Sequence, residues 1–205
     1  MNQSTPTSQV LLAAARDLFV ERGFDGTSIR AITQLAGTNL GAVTYHFGSK
    51  QALYEEVAVQ LATPFRTGFA ETARQPGSPL ERLEAIVAFV FEYLAAHPEL
   101  PRFLMQQLVS SRPLPPALRN TLGANHGDIA RLIAEGQRLG SIRAGDARLM
   151  ALSIIAQPIW LNAVRQFLKQ ALQIDHADPH TRTELTDTAV RFVRAGLAAK
   201  DVHHD

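Results

Sequence analysis

Two cations stand where helical electrostatics alone would not put them. The apolar spacing and polar punctuation predict helix starts at Thr27, Asn39 and Ser49, and Arg30 and Lys50 fall in the first turns of the first and third of these helices. A helix N-terminus carries partial positive charge and unsatisfied backbone N–H groups, so it favours an anion and disfavours a cation. No Asp or Glu occurs between positions 26 and 54. Three helix starts, two cations and an acid-free run together describe a surface suited to phosphate, with Leu40, Gly41, Ala42, Thr44, Tyr45 and His46 expected on its outer faces. An ordinary three-helix packing module with solvated Arg30, Lys50 and Tyr45 fits the same residues.

The elements that must position this surface are helices. Apolar residues recur at helical spacing, as in Leu11, Ala14 and Leu18, then Ile29, Ile32 and Ala36, with no convincing two-residue alternation, which predicts an all-α protein. Three short helices are expected over about 8–46. A turn of 36–39 containing Gly37 joins the second to the third, which is the helix-turn-helix arrangement. Val43 and Phe47 should pack inward on Ile29, Ile32 and Leu35. A fourth helix is expected from Ser49 or Lys50 to about 68, then a break at 75–79, Gln-Pro-Gly-Ser-Pro. Longer helices follow over about 79–96, 98–111, 115–139, 146–171 and 181–199, with a kink expected at Pro158. The linear division is an N-terminal three-helix unit (1–48), a connecting helix (49–74) and a helical bundle (75–205).

Composition narrows the possibilities. A chain of 205 residues with 46% hydrophobic and 19% charged residues lies far from the signature of disorder. The absence of Cys excludes disulfides, thiolate metal sites and Cys nucleophiles. Lys+Arg 20 against Asp+Glu 19 leaves a net charge of +1, so any phosphate site must be local. Residues 1–9 lack the pattern of a secretory signal, and the apolar stretch 149–164 is shorter than the about 20 residues that cross a bilayer, so no membrane association and a reducing cytoplasm are expected. No nucleophile elbow, Walker loop, HExxH or GxGxxG occurs, which argues against an enzyme and calls for no cofactor. A helical adaptor remains a competing reading. His176 and His180 lie four apart beside Asp175 and Asp178, but the intervening Pro179 and the loop composition argue against a metal face. His203 and His204 are expected to be solvated in a frayed tail, 201–205.

The string Thr27-Ser28-Ile29-Arg30-Ala31-Ile32, followed by Ala36-Gly37-Thr38-Asn39-Leu40-Gly41-Ala42-Val43-Thr44-Tyr45-His46-Phe47-Gly48-Ser49-Lys50-Gln51-Ala52-Leu53, resembles the N-terminal domain of the tetracycline-repressor (TetR) family. The specific parts are Gly-Phe-x-Gly-Thr-Ser at the entry and Tyr-His-Phe-x-Ser-Lys-x-x-Leu at the exit, and the likeness covers about 8–60. The resemblance implies a homodimeric, ligand-responsive regulator whose third helix enters the DNA major groove. By position, it implies base contacts from Arg30, Leu40, Gly41, Ala42 and Tyr45 and phosphate contacts from Thr27, Thr44, His46 and Lys50. Leu40, Ala42 and Thr44 depart from the commonest family pattern, so direct hydrogen-bond readout from the third helix should be poorer. Arg30 then becomes the best candidate for guanine, with Ala42 and Leu40 left for thymine methyls.

The resemblance also implies a small-molecule cavity among the later helices and a dimer seam from the last two. Small and apolar residues over 146–171 and 181–199 suit either a seam or an internal core; the seam expectation rests on Ala151, Ile155, Leu185, Ala189, Phe192 and Gly196. For the cavity the candidates are Phe89, Phe91 and Tyr93, then Phe103, Met105, Gln106 and Gln107, then His126, Gln157, Trp160 and Asn162, with Phe91, Met105 and Trp160 each read more readily as plain core. An uncharged or weakly polar organic effector is expected. The fourth helix, starting at Lys50, is the expected lever between effector and DNA.

Overall fold

The computed structural model describes residues 6–199. Ten helices follow in order among them: α1 (Thr7–Arg22), α2 (Ile29–Leu35), α3 (Ala42–Phe47), α4 (Lys50–Ala73), α5 (Pro79–Ala96), α6 (Glu99–Val109), α7 (Pro116–Arg138), α8 (Ala147–Ala163), α9 (Arg165–Leu172) and α10 (Pro179–Leu197). The described residues form no strand beyond one isolated antiparallel bridge, Ile142 to Ala198. The tail at 201–205, with His203 and His204, lies outside the described residues.

Local chemistry explains most boundaries. At α5 the Ser78 hydroxyl accepts from the Glu81 amide while the Glu81 carboxylate accepts from the Ser78 amide, and Pro79 supplies a preset first turn. Two expectations need correction. α4 does not end near 68 but runs to Ala73, carrying Pro64 in its interior. The segment 146–171 is two helices, and the bend between them, 68°, falls at Val164 rather than Pro158. Pro158 removes one backbone donor and α8 absorbs that loss. Four residues on, the Asn162 side-chain amide donates to the Pro158 carbonyl at 2.9 Å and competes for the acceptor of the last turn.

The chain divides into two compact units. The first comprises the residues up to Pro64 together with Glu99–Asn120. α6 and the start of α7 therefore group with α1 to α3, an arrangement that the linear division at 48 and 74 does not anticipate. α6 packs on α1, and the core holds Leu11, Leu18, Phe19, Ile32, Val43, Leu53 and Phe103. Four rings meet there: Tyr54 stands edge-on to Phe19 and Phe24, at 4.8 and 5.0 Å, and lies 5.1 Å from Phe103. Ile29 and Phe47 are only half-buried, and Leu35 is 58% exposed. The inward role expected of Leu35 therefore fails: it is the last residue of the seven-residue α2 and stays open to solvent.

The second unit comprises Phe65–Pro98 and Thr121 onward. α5 packs against both α8 and α10, burying Leu83, Ile86, Val87, Val90, Phe91 and Leu94 at helical spacing. Phe65, Phe69, Phe89 and Tyr93 form a second ring cluster, with centroids 5.2 to 6.5 Å apart. Gly68 permits it, because a Cβ there would come within 2.7 Å of the Phe89 ring. Arg66 on α4 bonds Asn125 at 2.7 Å and Asp128 at 2.6 Å on α7.

Two of the six residues expected at the seam, Ala151 and Ala189, belong to this core instead. Ala151 and Ala189 are buried within the chain, and Ile155 and Leu185 are half-buried, because those positions turn toward the α5 side of their helices. The exposed apolar stripe of α8 runs one helical face away, through Leu149, Leu152 and Trp160, and Phe192 (68% exposed) and Gly196 face out from α10.

Candidate nucleic-acid interface

The expected surface lies on α2, α3 and the start of α4. Ser28 caps α2, its hydroxyl accepting from the Ala31 amide at 3.1 Å, and Arg30 projects outward from the first turn. Thr27 is neither the cap nor a free phosphate ligand. It is 2% exposed, and its hydroxyl donates inward to the Gly23 carbonyl at 2.7 Å, with that of Leu18 at 3.2 Å, fastening the turn that follows α1. Gly37, at φ +63°, reverses the chain before α3. Asn39 does not cap α3 through its side chain; its carbonyl receives the Ala42 amide at 3.1 Å, and Gly41 stands at the cap position.

α3 is amphipathic despite its six residues. Ala42 and Val43 face inward, while Gly41, Thr44, Tyr45 and His46 face out with Leu40 just ahead of them. Tyr45 is 85% exposed, its ring edge-on to His46 at 4.9 Å. Ala42 is 6% exposed, so the thymine-methyl contact expected of it is withdrawn; Leu40, at 61%, retains that possibility. The helix-turn-helix packing claims Ala42 because α3 lies against both α1 and α2.

Ser49 caps α4, its hydroxyl accepting from the Ala52 amide at 3.1 Å, and so fixes Lys50 in the first turn. The Lys50 ammonium lies 4.1 Å from the centroid of the Phe24 ring. Partial burial holds it below the ordinary lysine range; Asp25 opposes that shift and Arg112 adds to it. Arg112 is the residue that sequence reasoning missed. Its guanidinium sits 3.8 Å from the Phe24 centroid, 3.7 Å from the Asp25 carboxylate, and donates to the Gln51 side chain at 2.5 Å. In the sequence it reads only as a helix stop before Pro113, some sixty positions from Gln51, and no local pattern signals the contact.

A surface of this kind, with outward cations and hydroxyls on a short helix set by a glycine turn, fits the major groove of B-DNA. The chain matches the family described as bacterial regulatory proteins, tetR family, over residues 11–57, and the tetracyclin repressor-like C-terminal domain over 79–193. It belongs to the tetR family. This tetR-family chain is a transcriptional regulator, not an enzyme. It is 29% identical over 201 residues to the HTH-type transcriptional repressor NicS of Pseudomonas putida, covering 94% of each protein. Its fold resembles a tetR-family bacterial regulatory protein from Rhodococcus RHA1, with TM-score 0.79, 18% identity and coverage of 97% of this chain and 100% of that one. It also resembles the transcriptional regulator FadR of Bacillus subtilis in complex with stearoyl-CoA, with TM-score 0.73, 18% identity and coverage of 92% and 98%. Among the described residues no single helix is long and apolar enough to cross a membrane.

The effector residues expected for this tetR-family chain are dispersed by the structure. Phe103 is fully buried against Tyr54, and the Gln107 side chain donates to the Tyr54 hydroxyl, so both serve the core of the first unit. Met105 and Gln106 are half-buried beside them. In the second unit Phe91 is core, Phe89 and Tyr93 belong to the ring cluster, and His126 donates from Nε2 to the Arg148 carbonyl at 2.9 Å. Trp160 is 55% exposed and does not form the wall of an enclosed pocket. Gln157 keeps a buried oxygen without a partner. Asn162 alone among the candidates lines the cavity of about 290 Å³ bounded by α8, α9 and α10.

Proposed function

We propose that this chain represses transcription in the cytoplasm by binding a palindromic operator in double-stranded DNA as a homodimer, and that a small organic effector releases it. The observation that carries the reading is the outward set Arg30, Leu40, Thr44, Tyr45 and His46, with Lys50 beside it, on a surface without an acid from 26 to 54. Phosphate contacts fall to Thr44, His46 and Lys50, and base contacts to Arg30, Tyr45, Gly41 and Leu40. Relatives named as repressors, NicS among them, support the direction of control. The FadR complex with stearoyl-CoA supports an organic effector for this fold.

The dimer reading rests on the exposed stripe Leu149, Leu152, Trp160 and Phe192. Beside it a groove of about 370 Å³ between α8 and α10 is lined by Leu149, Ile154, Phe192 and Leu197 among others. Apolar area of this kind is stabilised when a second copy covers it. Two-fold symmetry then sets the half-sites about 34–36 Å apart, one turn of B-DNA or a multiple. Selecting duplexes from genomic fragments tests the reading: palindromic sites are expected, and single-stranded or asymmetric products would refute it. Phe192→Glu should yield monomers in analytical ultracentrifugation and abolish tight operator binding, and dilution of the wild type should change Trp160 fluorescence. An effector that weakens operator binding by about 1–3 kcal/mol must bind the operator complex more weakly by the same factor.

A further inference from the structure

The acid-free run that marks the candidate DNA surface is bounded by Asp25 at one end and Glu55 at the other, and one guanidinium from a distant segment acts on both. Arg112 lies 3.7 Å from the Asp25 carboxylate and donates to Gln51 Oε1 at 2.5 Å, while Gln51 Nε2 donates to Glu55 Oε1 at 2.8 Å. All of these residues, with Phe24 and Lys50, belong to the first unit. The Phe24 ring is shared by two cations, the Arg112 guanidinium at 3.8 Å and the Lys50 ammonium at 4.1 Å from its centroid. Among the described residues the ammonium meets this ring and pairs with no carboxylate. Asp25 is nevertheless close enough for its charge to act on Lys50.

An ammonium paired with an acid of its own chain must give up that partner to meet a phosphate, so a disengaged Asp25 beside Lys50 would weaken the contact. Arg112 removes that competitor. Its planar fork faces the carboxylate and the amide together, a geometry that the point charge of a lysine does not reproduce. Those commitments leave it little to offer a phosphate directly. We propose that Arg112 is a positioning residue for DNA binding: it occupies Asp25 and, through Gln51, Glu55, so that the acids at both ends of the surface are engaged and the Lys50 ammonium is left for a phosphate. The consequence at the operator rests on the DNA reading above; the arrangement around Lys50 does not.

Two measurements on the full-length protein test this role, the first without DNA. The chain has three lysines, so isotope-labelled reductive methylation gives few NMR signals, and Lys50→Arg assigns the one from Lys50. Arg112→Gln should raise the Lys50 pKa by freeing Asp25, and adding Asp25→Asn should reverse the rise. The second measurement is anisotropy titration of a genome-selected duplex. There Arg112→Gln should weaken binding about two- to fivefold per half-site, the scale of one exposed ion pair. In a Lys50→Ala background the same substitution should cost nothing more. A direct phosphate contact would instead add its loss to that of Lys50→Ala and lower the salt slope by about one more per half-site. A general loosening would lower the melting temperature and weaken binding in both backgrounds. Either result overturns the proposal, as does a Lys50 pKa unmoved by Arg112→Gln or a rise that Asp25→Asn does not reverse. If Lys50→Ala leaves duplex binding unchanged, the DNA reading of Lys50 falls and the role of Arg112 at the operator falls with it. The lysine titration still decides, in that case, whether Arg112 holds Asp25 away from Lys50.

Discussion

Arg30 and Lys50 in the first unit stand in the first turns of helices, whereas in the second Arg165 opens α9 and Lys169 lies in its last turn, and the two pairs have opposite surroundings. The first pair faces solvent or an aromatic ring on a surface with no acid between 26 and 54. The second pair borders a cavity whose lining also holds Asp175, 2.8 Å from Lys169, and the buried Asn162 and His176. A surface poor in acids attracts a polyanion through many weak, screened contacts, whereas cations already paired with acids of their own unit leave less charge for one. Residue type is the same in both pairs; only the surroundings distinguish a surface open to a polyanion from a set of internal ion pairs.

Salt should separate the two regions most strongly. If six to ten phosphates are contacted per operator, affinity should fall by about 10³ to 10⁵ between 50 and 200 mM salt, while the ion pairs of Lys169 and Arg182 within the second unit should leave thermal stability far less changed. An operator affinity that hardly changes with salt would dissolve the comparison. Arg30→Ala comes next, with a cost of roughly 1–3 kcal/mol per half-site confined to one base pair if Arg30 reads a guanine. A loss spread evenly over all base variants in competition assays would move Arg30 to the backbone. Lys50→Ala should instead weaken every sequence alike and reduce the salt slope by about one for each phosphate left without its cation.

Phe24→Leu is a smaller perturbation. It removes the ring shared by Lys50 and Arg112, at about 0.5–1 kcal/mol for an exposed cation–π contact, and thermal melting should show a destabilisation of that order. The least effect is expected from acidification. The folded protein holds the His176 pKa below its unfolded value of about 6.5, so the unfolded chain binds the extra proton first. The neutral imidazole's contribution is complete above about 6.5 and is lost as the pH falls from there toward the lowered folded value. His176→Asn should flatten melting temperature against pH across that window; an unchanged slope would show that His176 is not desolvated as described.

Much of the candidate DNA surface was legible because its signals are local. Caps, glycines and aromatics at fixed offsets announce α2, α3 and the start of α4, and the acid-free run needs no third dimension to be seen. Thr27 and Ala42 escaped that reading for one reason. A small residue at the edge of a short helix can face either way, and the hydroxyl of Thr27 is claimed by carbonyls of the preceding turn while Ala42 is claimed by α1 and α2. Arg112 was invisible because its partners Phe24, Asp25 and Gln51 are brought to it by the chain's return along α6 and its following loop.

The sequence by itself determined that the chain is helical, that residues 27–50 form a helix-turn-helix with local positive charge, and that no cysteine chemistry is possible. These follow from periodicity, capping and composition, each of which acts over a turn or two of helix. The tertiary structure decided which face of α8 and α10 is covered by α5, and so exposed Leu149, Leu152, Trp160 and Phe192 while burying Ala151 and Ala189. It decided that α8 and α9 separate at Val164 and that Arg165, Lys169 and Arg182 border one cavity with Asn162 and His176. Small and apolar residues satisfy a core and a seam equally well, and charges far apart in the chain share a site only when packing closes the loop between them, so neither outcome is written in spacing alone.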